Sequence, residues 1–176
     1  AEKPAFRRAL AVRRCLLPAD GYYEWYAAEV DPAVPASRRP PKQPFFIHPT
    51  DGAVLAMAGL YEFWKSPLGD WLSTCTIITT TAADAVGHIH DRMPMTVRPE
   101  LWDAWLDPTV TEGALELLQA PGADLEAYAV PRLVSTVGNE GPELIQPLPE
   151  SRRCRLHPSD LLDDGGAPGC PDRIGE

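Results

Sequence analysis

Arg14-Cys15-Leu16-Leu17-Pro18-Ala19-Asp20-Gly21-Tyr22-Tyr23-Glu24-Trp25-Tyr26 is the stretch from which the fold is read. An apolar run leading into Pro18 and an Asp20-Gly21 pair reads as a strand that ends in a tight turn. Four aromatic residues follow around Glu24, and aromatic side chains suit a pleated, half-buried surface. A strand, a turn and a second strand predict an antiparallel or mixed sheet. Glu24 admits two readings. A carboxylate among aromatics is costly to bury without a partner, so an inward Glu24 marks a site. The ordinary alternation of a strand would instead point it to water.

Working outward, residues 5–12 are helix formers, with Phe6, Leu10 and Val12 available to one apolar side. Residues 27–44 hold five prolines and predict a long loop or flap. Pro44–His48 and Val54–Leu60 read as strands joined by a hairpin turn at Thr50-Asp51-Gly52, with Tyr61–Trp64 extending the second. Leu72–Thr81 is rich in β-branched residues and predicts another strand, followed by a helical turn over Ala82–Val86. Arg98–Leu106 and Thr111–Gln119 predict two helices, Thr111 serving as N-cap of the second. Trp102 and Trp105 are expected in the core. A last strand spans Glu126 to Val137, and Gly138–Pro142 is a turn. The pattern is α+β: a mixed, mostly antiparallel sheet curled into a barrel-like core with peripheral helices. One domain is expected over 1–148, with a disordered tail over 149–176, where charge, Pro and Gly replace apolar residues.

With 44% hydrophobic residues among 176, the chain can bury one sizeable core. No apolar run reaches bilayer length and no leader pattern opens the sequence, so a soluble, cytoplasmic monomer without membrane contact is expected. The opening at Ala1, inside a charged helix-forming segment, predicts a fragment of a longer protein. A net charge of -9 argues against coating nucleic acid through bulk electrostatics. Residues 1–44 nevertheless hold eight Lys or Arg against five acids, and the remainder eight against twenty, so a locally positive groove is compatible with the composition. Cys15, Cys75, Cys154 and Cys170 show no CxxC spacing and read as reduced thiols. There is no GxGxxG and no P-loop, and no cofactor is expected.

Gly87-His88-Ile89-His90-Asp91-Arg92-Met93-Pro94-Met95 concentrates two imidazoles, a carboxylate and a guanidinium between a strand and a helix. Histidine exchanges protons near neutral pH, and Arg grips phosphate or carboxylate. Three chemistries are open. A metal could recruit His48, His88, His90 and Asp91, a weak pattern with one distant ligand. Glu24 and His90 could act as an acid–base pair if strand and loop face one cleft. A Cys nucleophile would need a thiol there, whereas Cys15 and Cys75 lie in apolar strands as packed thiols.

Five blocks in order, Arg14–Trp25, Gln43–Ile47, Ile77–Ala83, Ile89–Pro94 and Asn139–Ile145, resemble the SOS response-associated peptidase (SRAP) family. The resemblance covers residues 1 to about 149, and the blocks Gly21–Trp25 and His90–Pro94 are its specific parts. It implies a protein that binds single-stranded DNA at abasic sites and captures them covalently. In that family the initiator Met is removed autocatalytically, and the exposed Cys closes a thiazolidine on the sugar aldehyde through its amine and thiol. The resemblance assigns Glu24 and His90 to the active site and favours a partly buried Glu24 near His90. It gives proton transfer at the sugar to His90 and a DNA phosphate to Arg92. The family's Met-Cys-Gly-Arg opening and its Asn-Ala-Arg block are absent, and none of the four cysteines stands at a matching position. The chain alone is therefore expected to lack the nucleophile and crosslinking activity. A non-catalytic remnant that only holds single strands is the alternative.

Overall fold

The computed structural model describes residues 4–82, 84–111, 113–119 and 122–149. They fall in two compact units, Ala1–Tyr22 with Ile47–Glu126 and Tyr23–Phe46 with Ala127–Glu176. The tail expected over 149–176 lies outside the described residues except for Pro149.

The first unit opens with α1 (Pro4–Val12). Its inner side is carried by Ala9, buried, and Leu10, packed on the core, while Phe6 and Val12 are exposed. The apolar side is thus narrower than the one read from Phe6, Leu10 and Val12. Strands β1 (Arg14–Ala19), β4 (Leu55–Lys65) and β5 (Trp71–Ile77) form an antiparallel sheet in the order β1-β4-β5. Cys15 stands opposite Gly59, and Tyr61 opposite Cys75. The strand expected over Leu72–Thr81 divides at Ile78: β6 (Thr79–Thr81) leaves β4 and pairs antiparallel with β7 (Arg92–Pro94).

Three backbones meet at that fork. Ile78 N–H donates to the Ala58 carbonyl, Met95 N–H to the Ile78 carbonyl and Ala58 N–H to the Met95 carbonyl, each at 2.8 Å. The ring of bonds gives each of three main-chain donors an acceptor where one strand changes partner, which a buried fork requires. Beside it the core gathers Ala58, Val97, Trp105 and Leu118, with Leu10, Leu16, Ile78 and Trp102 packed around them. Helix α3 (Trp102–Leu106) supplies both tryptophans, in the core as expected. Their indole N–H groups donate to Val97 and Cys15 carbonyls at 2.8 and 2.9 Å, so burial leaves neither donor unpaired.

Arg14 is 5% exposed. Its guanidinium donates to the carbonyls of Leu10, Ala11 and Trp105 at 2.6–2.8 Å and to that of Asp107. These are carbonyls at the ends of α1 and α3, where a helix lacks internal partners. The cation also lies 5.5 Å from the centre of the Trp105 ring. Burial pulls its pKa down and Asp107 opposes the shift.

In the second sheet the order is β2 (Tyr22–Tyr26), β3 (Gln43–Pro49) and β8 (Leu125–Ala129). The expected β3–β4 hairpin is therefore not made: the turn after Pro49 hands the chain from one sheet to the other. Within the second unit, rings of Trp25, Tyr23, Phe46 and Tyr128 follow one another at 6.4, 5.4 and 5.8 Å. Trp25 Nε1 donates to Ser135 Oγ at 2.9 Å and the Tyr128 hydroxyl to the Ile145 carbonyl at 2.8 Å. The ladder is thereby tied to the segment after Pro131, where the expected strand gives way to 3-10 turns over Arg132–Ser135 and Pro142–Ile145. Leu148 N–H still donates to the Ala129 carbonyl at 2.9 Å, so the fold extends past Pro147.

Thr111–Gln119 is not a helix among its described residues. Gly113 takes φ +77° and only Glu116–Leu118 forms a 3-10 turn. The class is α+β with mostly antiparallel sheets and few helices, and no closed barrel is found among the described residues.

Candidate functional site

Pairing of Thr81 with Arg92 brings the ends of the His-containing loop together, and Ala82 N–H closes it on the Asp91 carbonyl at 3.0 Å. Inside, the short helix α2 (Asp84–Gly87) and the turn after it bury Val86 and Ile89. With these two apolar side chains as anchors, His88, His90 and Asp91 are left on the outside, exposed.

His90 is held by its Nδ1 side. Arg92 N–H donates to Nδ1 at 3.1 Å, and the Arg92 carbonyl and an Asp91 carboxylate oxygen each lie 3.2 Å from it. An N–H donor aimed at Nδ1 makes that nitrogen an acceptor in the neutral ring, so Nε2 carries the proton. That nitrogen has no partner among the described residues.

Arg92 is pinned in turn. Its Nε donates to Thr79 Oγ1 and its Nη2 to the Thr79 carbonyl, both at 3.0 Å, with a further short bond from Nη2 to Oγ1. Thr79 was not singled out from sequence. The signal was available: Thr79 and Thr81 share a face of β6, and a residue paired with one reaches the other diagonally. The register that pairs Thr81 with Arg92 was not legible.

Glu24 lies in β2, half-buried. Alternation sets it on the face opposite Tyr23 and Trp25, away from the aromatic ladder. It has no hydrogen bond or ion pair with another described residue. It belongs to the second unit, whereas His90, Asp91, Arg92 and Thr79 belong to the first.

His48, considered as a distant metal ligand, contacts the Pro49 carbonyl through Nδ1 at 2.9 Å and a Glu126 carboxylate oxygen through Nε2 at 3.5 Å. Among the described residues no three His, Cys, Asp or Glu side chains are grouped to hold a metal. Of the thiols, Cys15 is half-buried, and burial together with Cys75 raises its pKa, which disfavours the nucleophilic thiolate. Cys75 is exposed rather than packed, because β5 is an edge strand. A shallow depression in the second unit is lined by Leu133, Asn139, Glu140 and Glu143, whose two carboxylates do not suit a phosphate. No helix among the described residues is long and apolar enough to cross a membrane.

A family model described as SOS response associated peptidase (SRAP) matches residues 1–137, a range that contains both the Glu24 block and the His90–Arg92 block. The chain belongs to the SRAP family. Among SRAP relatives, the abasic site processing protein YoqW of Bacillus subtilis (strain 168) is 43% identical over 148 residues. That match covers 82% of this chain and 62% of YoqW. The abasic site processing protein HMCES of Gallus gallus is 32% identical over 158 residues, covering 77% of this chain and 44% of HMCES. A crystal structure of a protein from Bacteroides thetaiotaomicron superposes with a TM-score of 0.67 at 27% identity, over 84% of this chain and 62% of that one. The SRAP chain studied here thus spans less than two thirds of these relatives' length.

Proposed function

We propose that this SRAP chain binds single-stranded DNA at abasic sites, as a cytoplasmic monomer, and carries the acid–base part of a site that captures the lesion covalently. The observation that carries the reading is the state of His90: Nδ1 is occupied by Arg92 N–H, and the proton-bearing Nε2 faces outward two residues from a pinned guanidinium. A donor in that position protonates the sugar oxygen as the ring opens to the aldehyde. The remaining Nη1 of Arg92 offers its N–H groups to a phosphate oxygen. Glu24, half-buried and unpaired among the described residues, accepts and returns protons during N-terminal processing and reversal. The fork at Ile78, where one strand feeds two sheets, supports a barrel-like curl that would carry β2 toward the loop.

The covalent step belongs to a chain with the family's Cys opening. There the α-amine condenses with the aldehyde, releasing water, and the thiol adds across the imine with its proton passing to nitrogen. The raised pKa of Cys15 makes it a poor substitute.

A gel assay with abasic and intact single-stranded oligonucleotides tests this. The chain as it stands is expected to bind the abasic strand preferentially, lose it with salt, and leave no band that survives denaturation. Joined to the Met-Cys opening of YoqW, it is expected to give that band, and Glu24→Gln to slow its processing or reversal. Equal binding of both oligonucleotides would overturn the reading; binding without an adduct in the joined chain would leave the non-catalytic alternative.

A further inference from the structure

Strand β5 is the edge of its sheet, and all seven of its residues, Trp71 to Ile77, are exposed. Edge strands are usually blunted by charge, proline or a bulge. Trp71-Leu72-Ser73-Thr74-Cys75-Thr76-Ile77 carries neither charge nor proline, and its register with β4 runs unbroken from Gly59 opposite Ile77 to Lys65 opposite Trp71. The sides of this ribbon are also unusual. Phe63 and Trp71, 52% and 66% exposed, lie on one face, and Trp64 and Leu72, 51% and 47% exposed, on the other. A strand pair that is apolar on both faces is patterned for burial on both. The ribbon is stiffened at its tip, where Ser66 Oγ accepts the N–H groups of Leu68 and Asp70.

We propose that the β4–β5 ribbon is a docking surface for polypeptide, and that its occupant is the kind of segment that makes up the part of YoqW outside the matched 62%, one strand of which extends the sheet at β5. Two observations choose this occupant. The solved relatives are matched over only 62%, 59% and 57% of their own chains, so each has a large remainder that folds with the shared part. The ribbon also has no excess of positive charge, Lys65 being offset by Glu62 and Asp70, so it does not suit a polyanion. An added strand satisfies the open edge through main-chain hydrogen bonds, and its alternate side chains cover the exposed aromatics. This inference rests on family membership and is independent of the abasic-site reading.

Coexpression of this chain with the tagged, unmatched part of YoqW tests it, alongside a single chain in which the two are joined in YoqW's order. The two chains are expected to purify together at 1:1, and hydrogen exchange at the amides of residues 71–77 to slow at least tenfold in both preparations relative to this chain alone. Leu72→Lys, a change at an exposed side chain, is expected to weaken the two-chain complex at least tenfold. Exchange at 71–77 unchanged in the joined chain would overturn the proposal. So would a concentration-dependent dimer of this chain alone that protects β5, which would assign the edge to a second copy, or protection of the ribbon by single-stranded DNA.

Discussion

Arg14 shows how one side chain can tie two helices to a strand. Its N–H groups serve four carbonyls at the ends of α1 and α3, so Arg14→Met would leave those acceptors without donors. Unsatisfied buried acceptors cost roughly 1–3 kcal/mol each, so a loss of about 3 kcal/mol is expected in urea unfolding. Arg14→Lys, with three donors and no planar fork, is expected to recover only part of it. At the loop, Thr79 is a positioning residue, since it holds Arg92, whose backbone in turn fixes the His90 ring. Thr79→Val is expected to shift His90 toward a mixture of tautomers, read from its ring-nitrogen chemical shifts, while the melting temperature stays within a few degrees. Asp107 gives a pH signature. Hydrogen bonds from the Thr109 hydroxyl and N–H, with the Arg14 charge beyond them, hold its pKa below the ordinary carboxylate range. The unfolded chain therefore takes up this proton first as pH falls. The stabilisation is complete above the ordinary carboxylate pKa and is lost as pH drops toward the folded value. Thr109→Val is expected to flatten that acid-side loss, and an unchanged slope would remove Asp107 from the account.

Among the elements, the segment 111–119 is the sharpest test of propensity against tertiary context. Leu115, Leu117 and Leu118 have helical spacing and Thr111 resembles a cap, yet Gly113 sits at φ +77° and the leucines reach the core through a 3-10 turn. Gly113→Ala raises helix propensity, but it places a Cβ in the left-handed region, which costs about 1 kcal/mol. Destabilisation by that amount is the expected result, and a gain in stability with added helical circular dichroism would mean that the helix is the better state. The elements read correctly were those with an unambiguous period and a turn signal, such as β1, β2 and β4. Partner choice was beyond reach: Thr50-Asp51-Gly52 announces a reversal, but nothing in those residues says that β3 joins β2 and β8 rather than β4. Likewise the β-branched run 72–81 shows no sign that Ile78 divides it, because the division is made by Ala58 and Met95, distant in sequence. Pro131 was a visible stop for β8, which the apolar residues after it outweighed in the reading.

For the molecule as a whole, the site was legible to the extent that its residues cluster in sequence. His90, Asp91 and Arg92 announce themselves in one loop, whereas Thr79 is recruited only by the β6–β7 register. Net charge then limits what such a site can do with DNA. A chain at -9, with its cations concentrated before residue 45, presents few phosphate contacts around Arg92. On single strands the logarithm of the binding constant falls with the logarithm of salt by about 0.7 for each phosphate neutralised. One to three contacts therefore predict a slope between about -0.7 and -2. Arg92→Ala should make the slope shallower by about 0.7 and weaken binding to abasic and intact strands alike, since a phosphate contact carries no information about the lesion. His90→Gln should do the reverse, leaving the slope unchanged while reducing the preference for the abasic strand. A slope steeper than about -4 would require a broad basic surface and would move DNA binding away from the His90 loop.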